Sequence, residues 1–383
     1  MPKSTKWLTE MFPDFNFSDL RILEGLGKHG PRNVTEVARK LDMPAETLRK
    51  RLKRLTSRFF IRLNVNIYHT FLGLKKALIF AEAAPGYEDL LFNCLKQNDF
   101  WISLARCYGV FEGCVGVFTI PNDHCVEFEQ FLEKGKKLGV IKSSEVFWCT
   151  CFQAIHSRCK WFDRKSQTWN FKWDKWIKEI PVENTELPYT LVDPKGFPIK
   201  GDYIDVFILK ELEKDATTSF ADIAKMLGVS SQSIGYHYRN HIIERGILEG
   251  FEVTDFHFGT ADSNFLYFVF GFDSAEKLAK FASSLLDKPF VRTLGKVLGQ
   301  NALYGYIYLP NSEFRRFIDS LSELIRTGFL QGYSYVIQDL QKSLRQTISY
   351  EYFRHGTWIY DHKKHVHNIH SLVKQTAPEL HTN

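Results

Sequence analysis

No stretch of the chain approaches the ~18–20 consecutive apolar residues that a membrane-spanning helix needs. The opening residues MPKSTKWLTEMF lack the apolar core of a secretory signal. Cysteines number seven (Cys94, Cys107, Cys114, Cys125, Cys149, Cys151 and Cys159), all in the first half, with no disulfide-module spacing. An odd set of this kind fits reduced thiols in a cytoplasm. There is no glycine-rich phosphate loop, no HExxH and no nucleophile elbow. Neither sign of charge dominates: 50 Lys and Arg stand against 44 Asp and Glu, for a net charge of +6. At 44% hydrophobic and 25% charged, the composition excludes a mainly disordered or collagen-like chain. A length of 383 residues suggests two to four compact units. The reading at this point is a soluble, cytoplasmic protein.

What is present is an internal repeat. The run from Ser18 to Leu55 returns between Tyr203 and Ile242. Asp19 matches Asp205, Leu23 matches Leu209, Ala38 matches Ala224, Leu41 matches Leu227 and Leu48 matches Ile234, all at one offset. By Leu55 and Ile242 the offset has slipped by one residue. Further on, Phe100, Leu104 and Gly109 match Phe290, Leu294 and Gly299, and Pro121-Asn122 matches Pro310-Asn311. The tails WFDRKSQTWNFKW and YFRHGTWIY are weakly alike. Each half therefore carries a small helical unit, a larger mixed unit and an aromatic tail. A segment rich in Trp, then Pro and Gly, joins them, as connectors often do.

The small unit reads as three helices and a wing. Leu20, Ile22, Leu23 and Leu26 make a helical stripe. Asn33 can cap a second helix, with Glu36 reaching back, and Ser219 with Asp222 repeats that logic. Tight turns at Leu41-Asp42-Met43 and Leu227-Gly228-Val229 precede a third helix, opened by Pro44 or Ser230. The runs FFIRLNVNI and ILEGFEVTDF then read as extended wings. Three helices with a tight turn before the last is the helix-turn-helix plan, whose final helix enters the DNA major groove. In the first copy Arg49, Lys50, Arg51, Lys53, Arg54 and Arg58 crowd that helix, opposed locally only by Glu46. Such bases neutralise phosphates and release counterions. Thr47, Arg49 and Lys50, near its start, are placed to reach base edges. In the second copy Ser231, Gln232, Ser233, Tyr236, His237, Arg239 and Asn240 form a polar, nearly neutral outer face, suited to hydrogen-bonded readout. A charged helix face is ordinarily only a solvated face; the duplication of the whole plan is what favours DNA.

The large unit reads as β-α-β-β-α-β in both copies, the ferredoxin-like split unit. Its strands are expected at 76–84, 100–108, 114–120 and 141–151, and again at 264–272, 290–298, 302–309 and 331–338. Two helices cover one sheet face, so the bare face must find a partner, and the other half of the chain is the obvious one. The expected fold class is α+β: two winged helix-turn-helix domains alternating with two ferredoxin-like domains. The boundaries are a first head over 1–66, a first sheet domain over 75–155, an aromatic linker over 156–201, a second head over 202–258, a second sheet domain over 262–340, and an aromatic, His-rich tail over 341–383.

This order, with Leu72-Gly73-Leu74 between head and sheet and a Gly109-Val110-Phe111-Glu112 hairpin, resembles the Lrp/AsnC family of transcriptional regulators, of archaeal type, in tandem duplication. The resemblance implies helix-turn-helix units that bind DNA and sheet domains that dimerise and sense small effectors. By position it carries over Thr47, Arg49, Lys50, Arg51 and Arg54, and Gln232, Tyr236, His237 and Arg239. It departs from the pattern in its two copies per chain, in Gly299-Gln300-Asn301, which lacks the acid, and in the aromatic tails. The implied partners are double-stranded DNA, the other half of the chain in a pseudo-two-fold pairing, a second copy as homodimer, and a small-molecule effector. No membrane partner is expected, and the implied location is the nucleoid. Lrp-like folds also occur in siroheme decarboxylases, which pair two related units, and Tyr and His residues could serve a tetrapyrrole. The basic third helix weighs against that rival. A scaffold that does not bind DNA is a third reading. A regulator, not an enzyme, with no cofactor and no metal site, is the expectation.

Other constellations are weaker. Cys149, Cys151, His156 and Cys159 match no familiar zinc spacing, and the cysteines read as small buried hydrophobes. His355, His362, His365, His367 and His370 make a flexible His-rich tract. Trp169, Phe171 and Trp173 alternate as a strand would, with Trp176 beyond, and read as cover for a sheet or for the partner half.

Overall fold

The computed structural model describes residues 15–59 and 61–380. The N-terminal segment MPKSTKWLTEMF and Phe60 of the expected wing lie outside the described residues. Helix α1 (Phe17–His29) starts from a capping box: the Asn16 side chain accepts from the Asp19 amide, and the Asp19 carboxylate accepts from the Asn16 amide. Asn33 caps α2 (Val34–Lys40), but Glu36 does not reach back. Its carboxylate instead accepts from Arg39 at 2.7 and 2.9 Å. The tight turn needs a left-handed residue, which is Asp42 (φ 50°) here and Gly228 (φ 67°) in the second copy. Helix α3 (Ala45–Arg58) buries Leu48 and Leu55 and leads into strand β1 (Arg62–Ile67).

The first sheet unit follows as β2 (Leu74–Ala83), α4 (Glu88–Leu95), β3 (Trp101–Gly109), β4 (Gly113–Pro121), α5 (Cys125–Lys137) and β5 (Ile141–Cys149). Its strands lie in the order β5-β2-β4-β3, all antiparallel. A short β6 (Gln153–Ala154), a hairpin of β7 (Phe162–Asp163) and β8 (Thr168–Trp169), and helix α6 (Trp173–Glu179) make the linker. The expected strand-like alternation therefore ends at Trp169, and Trp173 begins a helix.

The second head comprises α7 (Tyr203–Lys214), α8 (Phe220–Leu227), α9 (Ser231–Tyr236), a π-helical turn over His237–Ile243, and β9 (Leu248–Thr254). A π-turn accommodates one extra residue in a helix. It accounts for the one-residue slip between Leu55 and Ile242, both fully buried. The second sheet unit is β10 (Ser263–Gly271), α10 (Ala275–Leu285), β11 (Val291–Lys296), β12 (Ala302–Pro310), α11 (Asn311–Arg326) and β13 (Gly332–Arg345), in the order β13-β10-β12-β11. Strand β13 thus runs on past Gln338, where the sequence pattern stops. The tail forms β14 (Phe353–Arg354), β15 (Thr357–Trp358) and α12 (His362–Leu380), so the His-rich tract is helical.

The halves interlock at every layer. The start of β13 pairs with β10, and its end crosses to β3 of the first unit, placing Arg345 opposite Ser103. In the same way the chain beyond β5 reaches the second unit: Cys149 bridges Val297, and β6 pairs with β11. The sheet faces opposite the helices enclose one apolar cluster drawn from both units, including Leu78, Phe80, Val117, Val269, Tyr304 and Val336. Above them β1 pairs with β9 in an antiparallel ribbon shared by the two heads. Helix α1 packs on β9, and α7 packs on β1. The Arg32 guanidinium donates to the carbonyls of Ala216 and Thr218 at 3.0 Å and lies over the Phe220 ring.

The aromatic tails also cross over. Trp173 and Trp176, from the first half, are buried among Phe281, Phe290 and Phe317 of the second unit. Their indoles donate to Glu313 (2.7 Å) and Ser284 (3.1 Å). From the second half, α12 packs on α4 and α5, with Trp358 and Tyr360 around Phe100. His365 is fully buried, with its Nε2 3.1 Å from Asp99. Burial tends to raise the Asp99 carboxyl, but hydrogen bonds from His365, Lys364 and Tyr352 hold it at about 2. All seven cysteines are free thiols, and burial pushes Cys149 up to about 12.

Trp176 is completely buried. Trp176→Ala should lower stability by about 3–5 kcal/mol, because apolar area returns to water and a cavity remains. Val182→Ala, at a position 82% exposed, should change it by less than about 0.5 kcal/mol. Urea denaturation followed by far-UV circular dichroism reads both.

Candidate nucleic-acid interface

Helix α3 divides its bases into two groups. Leu48 and Leu55 face the core, which turns Thr47, Arg49, Lys50, Lys53 and Arg58 to solvent. Arg49 is restrained only weakly, by Thr35 at 3.2 Å and Glu46 at 4.0 Å, and Lys50 lies 3.9 Å from Glu46. Arg51 and Arg54 behave differently. Both reach back to the fully buried Asp19 carboxylate, Arg51 at 2.9 Å and Arg54 on the other oxygen. The Lys50 side chain is 77% exposed, against 32% for Arg51. Arg51 and Arg54 therefore fasten the third helix to the first turn of α1, and the other four bases, with Thr47 beside them, present an open cationic face.

The second head repeats this joint with different chemistry. Asp202 and Asp205 form the capping box of α7, standing where Asn16 and Asp19 stand in the first head. His237 and His241 take the places of Arg51 and Arg54. His237 Nδ1 lies 2.8 Å from Asp205 Oδ1, and His241 Nδ1 lies 3.1 Å from Asp205 Oδ2. Both ring nitrogens are 3.6 Å from Asp202 Oδ2. His237 thus points inward, which corrects its place on the outer face. The outer surface keeps Ser231, Gln232, Tyr236 and Arg239 exposed, with Ser233 and Asn240 half-buried. His241 and the two carboxylates carry no weight in a reading by outer face alone. Their signal lies in the matched Asp19 and Asp205 and in two histidines one helical turn apart.

Beneath the shared ribbon lies a polar layer. Asn64, Asn66 and Glu252 are the ribbon residues that point away from the core side formed by Leu63, Val65 and Val253. Asn66 donates to the Phe152 carbonyl at 2.8 Å, and Glu252 pairs with Arg345 at 3.1 Å. At the end of β9, Asp255 is buried between Arg158 (3.0 Å) and Arg292 (2.9 Å). Lys76 is buried with its ammonium 4.5 Å from the Phe152 ring centre. Burial pushes the carboxyls of Glu213 and Glu249 up to about 7 from the ordinary 4.5. Both groups hold protons more tightly in the folded than in the unfolded chain. Their neutral forms leave stability intact below pH 4.5, and it is lost as pH rises through about 7. The urea midpoint should fall between pH 5.5 and pH 8, and Glu249→Gln should flatten that slope; an unchanged slope would remove Glu249 as a cause.

A family model described as the AsnC-type helix-turn-helix domain matches residues 202–238, the start of the second head. The HTH-type transcriptional regulator LrpA of Pyrococcus abyssi is 32% identical over 115 residues, which cover 29% of this chain and 78% of that protein. Among solved structures, the siroheme decarboxylase NirDL aligns over 94% of this chain and 99% of its own, at 11% identity and a TM-score of 0.49. Escherichia coli AsnC aligns over 39% of this chain and 97% of its own, at 19% identity and a TM-score of 0.27. The NirDL alignment corrects the expectation that this is no enzyme, because the protein matched over nearly its whole length is itself an enzyme. The likeness is one of fold and assigns no reaction here. Among the described residues no helix is long and apolar enough to cross a membrane. The α+β fold, the AsnC-type helix-turn-helix and the LrpA relative together establish that the chain belongs to the Lrp/AsnC family.

Proposed function

We propose that the chain is a sequence-specific DNA-binding regulator of transcription that brings two unlike heads to one duplex. The observation that carries this reading is the exposed row Thr47, Arg49, Lys50, Lys53 and Arg58 on a third helix whose inner arginines are tied to Asp19. A free cationic face on a fixed helix suits phosphate neutralisation, and Thr47, Arg49 and Lys50 at its start suit contact with base edges. Arg51 and Arg54 position that helix. The second head adds Ser231, Gln232, Ser233, Tyr236, Arg239 and Asn240, a surface fitted to hydrogen bonds more than to charge. Affinity then comes mainly from the first head, and the second contributes discrimination. The ribbon and Arg32 hold the two heads in fixed relation.

Fluorescence anisotropy with a mixed pool of genomic duplex fragments, over a range of salt, tests this. Replacing Arg49, Lys50, Lys53 and Arg58 together by Ala should weaken binding and flatten the log–log salt slope by roughly 0.9 for each phosphate no longer neutralised. An unchanged slope would refute the assignment. Arg54→Ala should act differently. It leaves Asp19 short of a partner and should cost about 1–3 kcal/mol of stability.

A further inference from the structure

We propose that the second head binds a divalent transition-metal ion of the zinc class between Asp202, Asp205, His237 and His241. Each of the four offers one ligand atom, and these atoms all lie within 4.8 Å of one another. A tetrahedral ion with bonds of roughly 2.0–2.1 Å needs its ligand atoms about 3.3 Å apart. The four nitrogen-to-oxygen spans here are 2.8, 3.1, 3.6 and 3.6 Å. The 2.8 and 3.1 Å spans end on different oxygens of Asp205; with one atom from each residue the spans extend to within 4.8 Å, so closure draws the outermost ligand atoms in by up to about 1.5 Å. Two imidazoles select for zinc-like ions over magnesium or calcium, which prefer all-oxygen sites.

The sister head supplies an independent observation. There the corresponding carboxylate is buried against two guanidinium groups, which supply fixed positive charge. The second head has an additional carboxylate, since Asp202 replaces Asn16, and it has no arginine or lysine in the joint. Among the described residues, no lysine or arginine forms an ion pair with Asp202 or Asp205. More negative charge, less fixed positive charge and two imidazoles in one place are what a bound cation would balance.

The local backbone also serves the ligands. The π-turn starts at His237 and contains both histidines, and their ring centres are 4.5 Å apart. Asp205 is fully buried and fixed by the cap. The Asp202 side chain is 50% exposed, which leaves the ion a way in from solvent. Four protein ligands close the coordination sphere, so the ion would be structural or regulatory and not catalytic. Tyr236 lies edge-on to both rings and opens onto the exposed surface of α9. Occupancy would therefore clamp the start of α7 to the helix that carries that surface.

Metal capture is read without DNA, so its outcome is separate from that of the duplex-binding test. The full chain, stripped with chelator, is titrated with Co2+ and then with Zn2+. The expected result is one equivalent of Co2+ with the intense visible absorption of a four-coordinate site, displaced by Zn2+. His237→Ala/His241→Ala should remove that equivalent, weakening binding more than about 100-fold because two of four ligands are gone. H237R/H241R, which copies the first head, should stay folded by circular dichroism and also lose it. Asp202→Asn, at a half-exposed position, should weaken binding without unfolding the head. His362→Ala/His367→Ala/His370→Ala should leave it intact. Absence of the Co2+ band, its survival in the H237R/H241R chain, or its loss only with the tail histidines would each overturn the proposal.

Discussion

At the end of each sheet unit the chain crosses to pair with the other unit, and the rest of the molecule depends on that arrangement. An isolated βαββαβ unit leaves one face bare and its edge strands unpaired. Here β13 satisfies β10 and then β3, while β5 and its continuation β6 satisfy β2 and then β11. The two crossings pair the β3 and β11 edges and bring the bare faces together over a common apolar interior. Once the sheets are fixed in this way, the heads meet through β1 and β9, and each aromatic tail finds the helices of the opposite unit. Neither half is a finished body.

Within that frame the two heads have diverged around one shared device, a carboxylate in the first turn of the first helix that receives side chains from the third. In the first head the device is ionic and complete, which leaves five residues of α3 for the surface. In the second it is built from imidazoles and an extra acid. The same backbone plan thus supports a cationic face in one place and a neutral, hydrogen-bonding face in the other. The divergence lies in positions that a family resemblance treats as equivalent.

Much of the fold was legible because the repeat doubled every signal. Apolar periodicity, the Pro-Asn strand ends and the capping residues place the helices and most strands close to where they lie. Less legible were features set by partners distant in sequence. Strand β13 continues past Gln338 because β3 is there to receive it. Trp173 and Trp176 sit in a helix because a helical layer of the other unit must be covered, whereas the alternation of Trp169, Phe171 and Trp173 suggested a strand. The flexible tail suggested by its histidines is a helix, with His365 tied to Asp99 and Tyr360 bonded to Asn98. In the site, composition identified α3 as basic but could not separate Arg51 and Arg54 from Lys50. That separation depends on Asp19, whose burial is a tertiary fact. His237 was misplaced outward for a related reason, since its inward turn depends on the buried Asp205 carboxylate.

The crossed tails also bear on how the chain reaches its native state. Helix α6 precedes the helices α10 and α11 that cover its indoles by about 100 and 140 residues, and β3 awaits a strand that ends at Arg345. Until the second half has left the ribosome, the first carries exposed tryptophans and an unpaired strand. Long-range pairing of this kind slows folding and lengthens the exposure of sticky surface. Completion is therefore postponed to the end of synthesis, and a product truncated after the first half would be a ready substrate for chaperones and proteases.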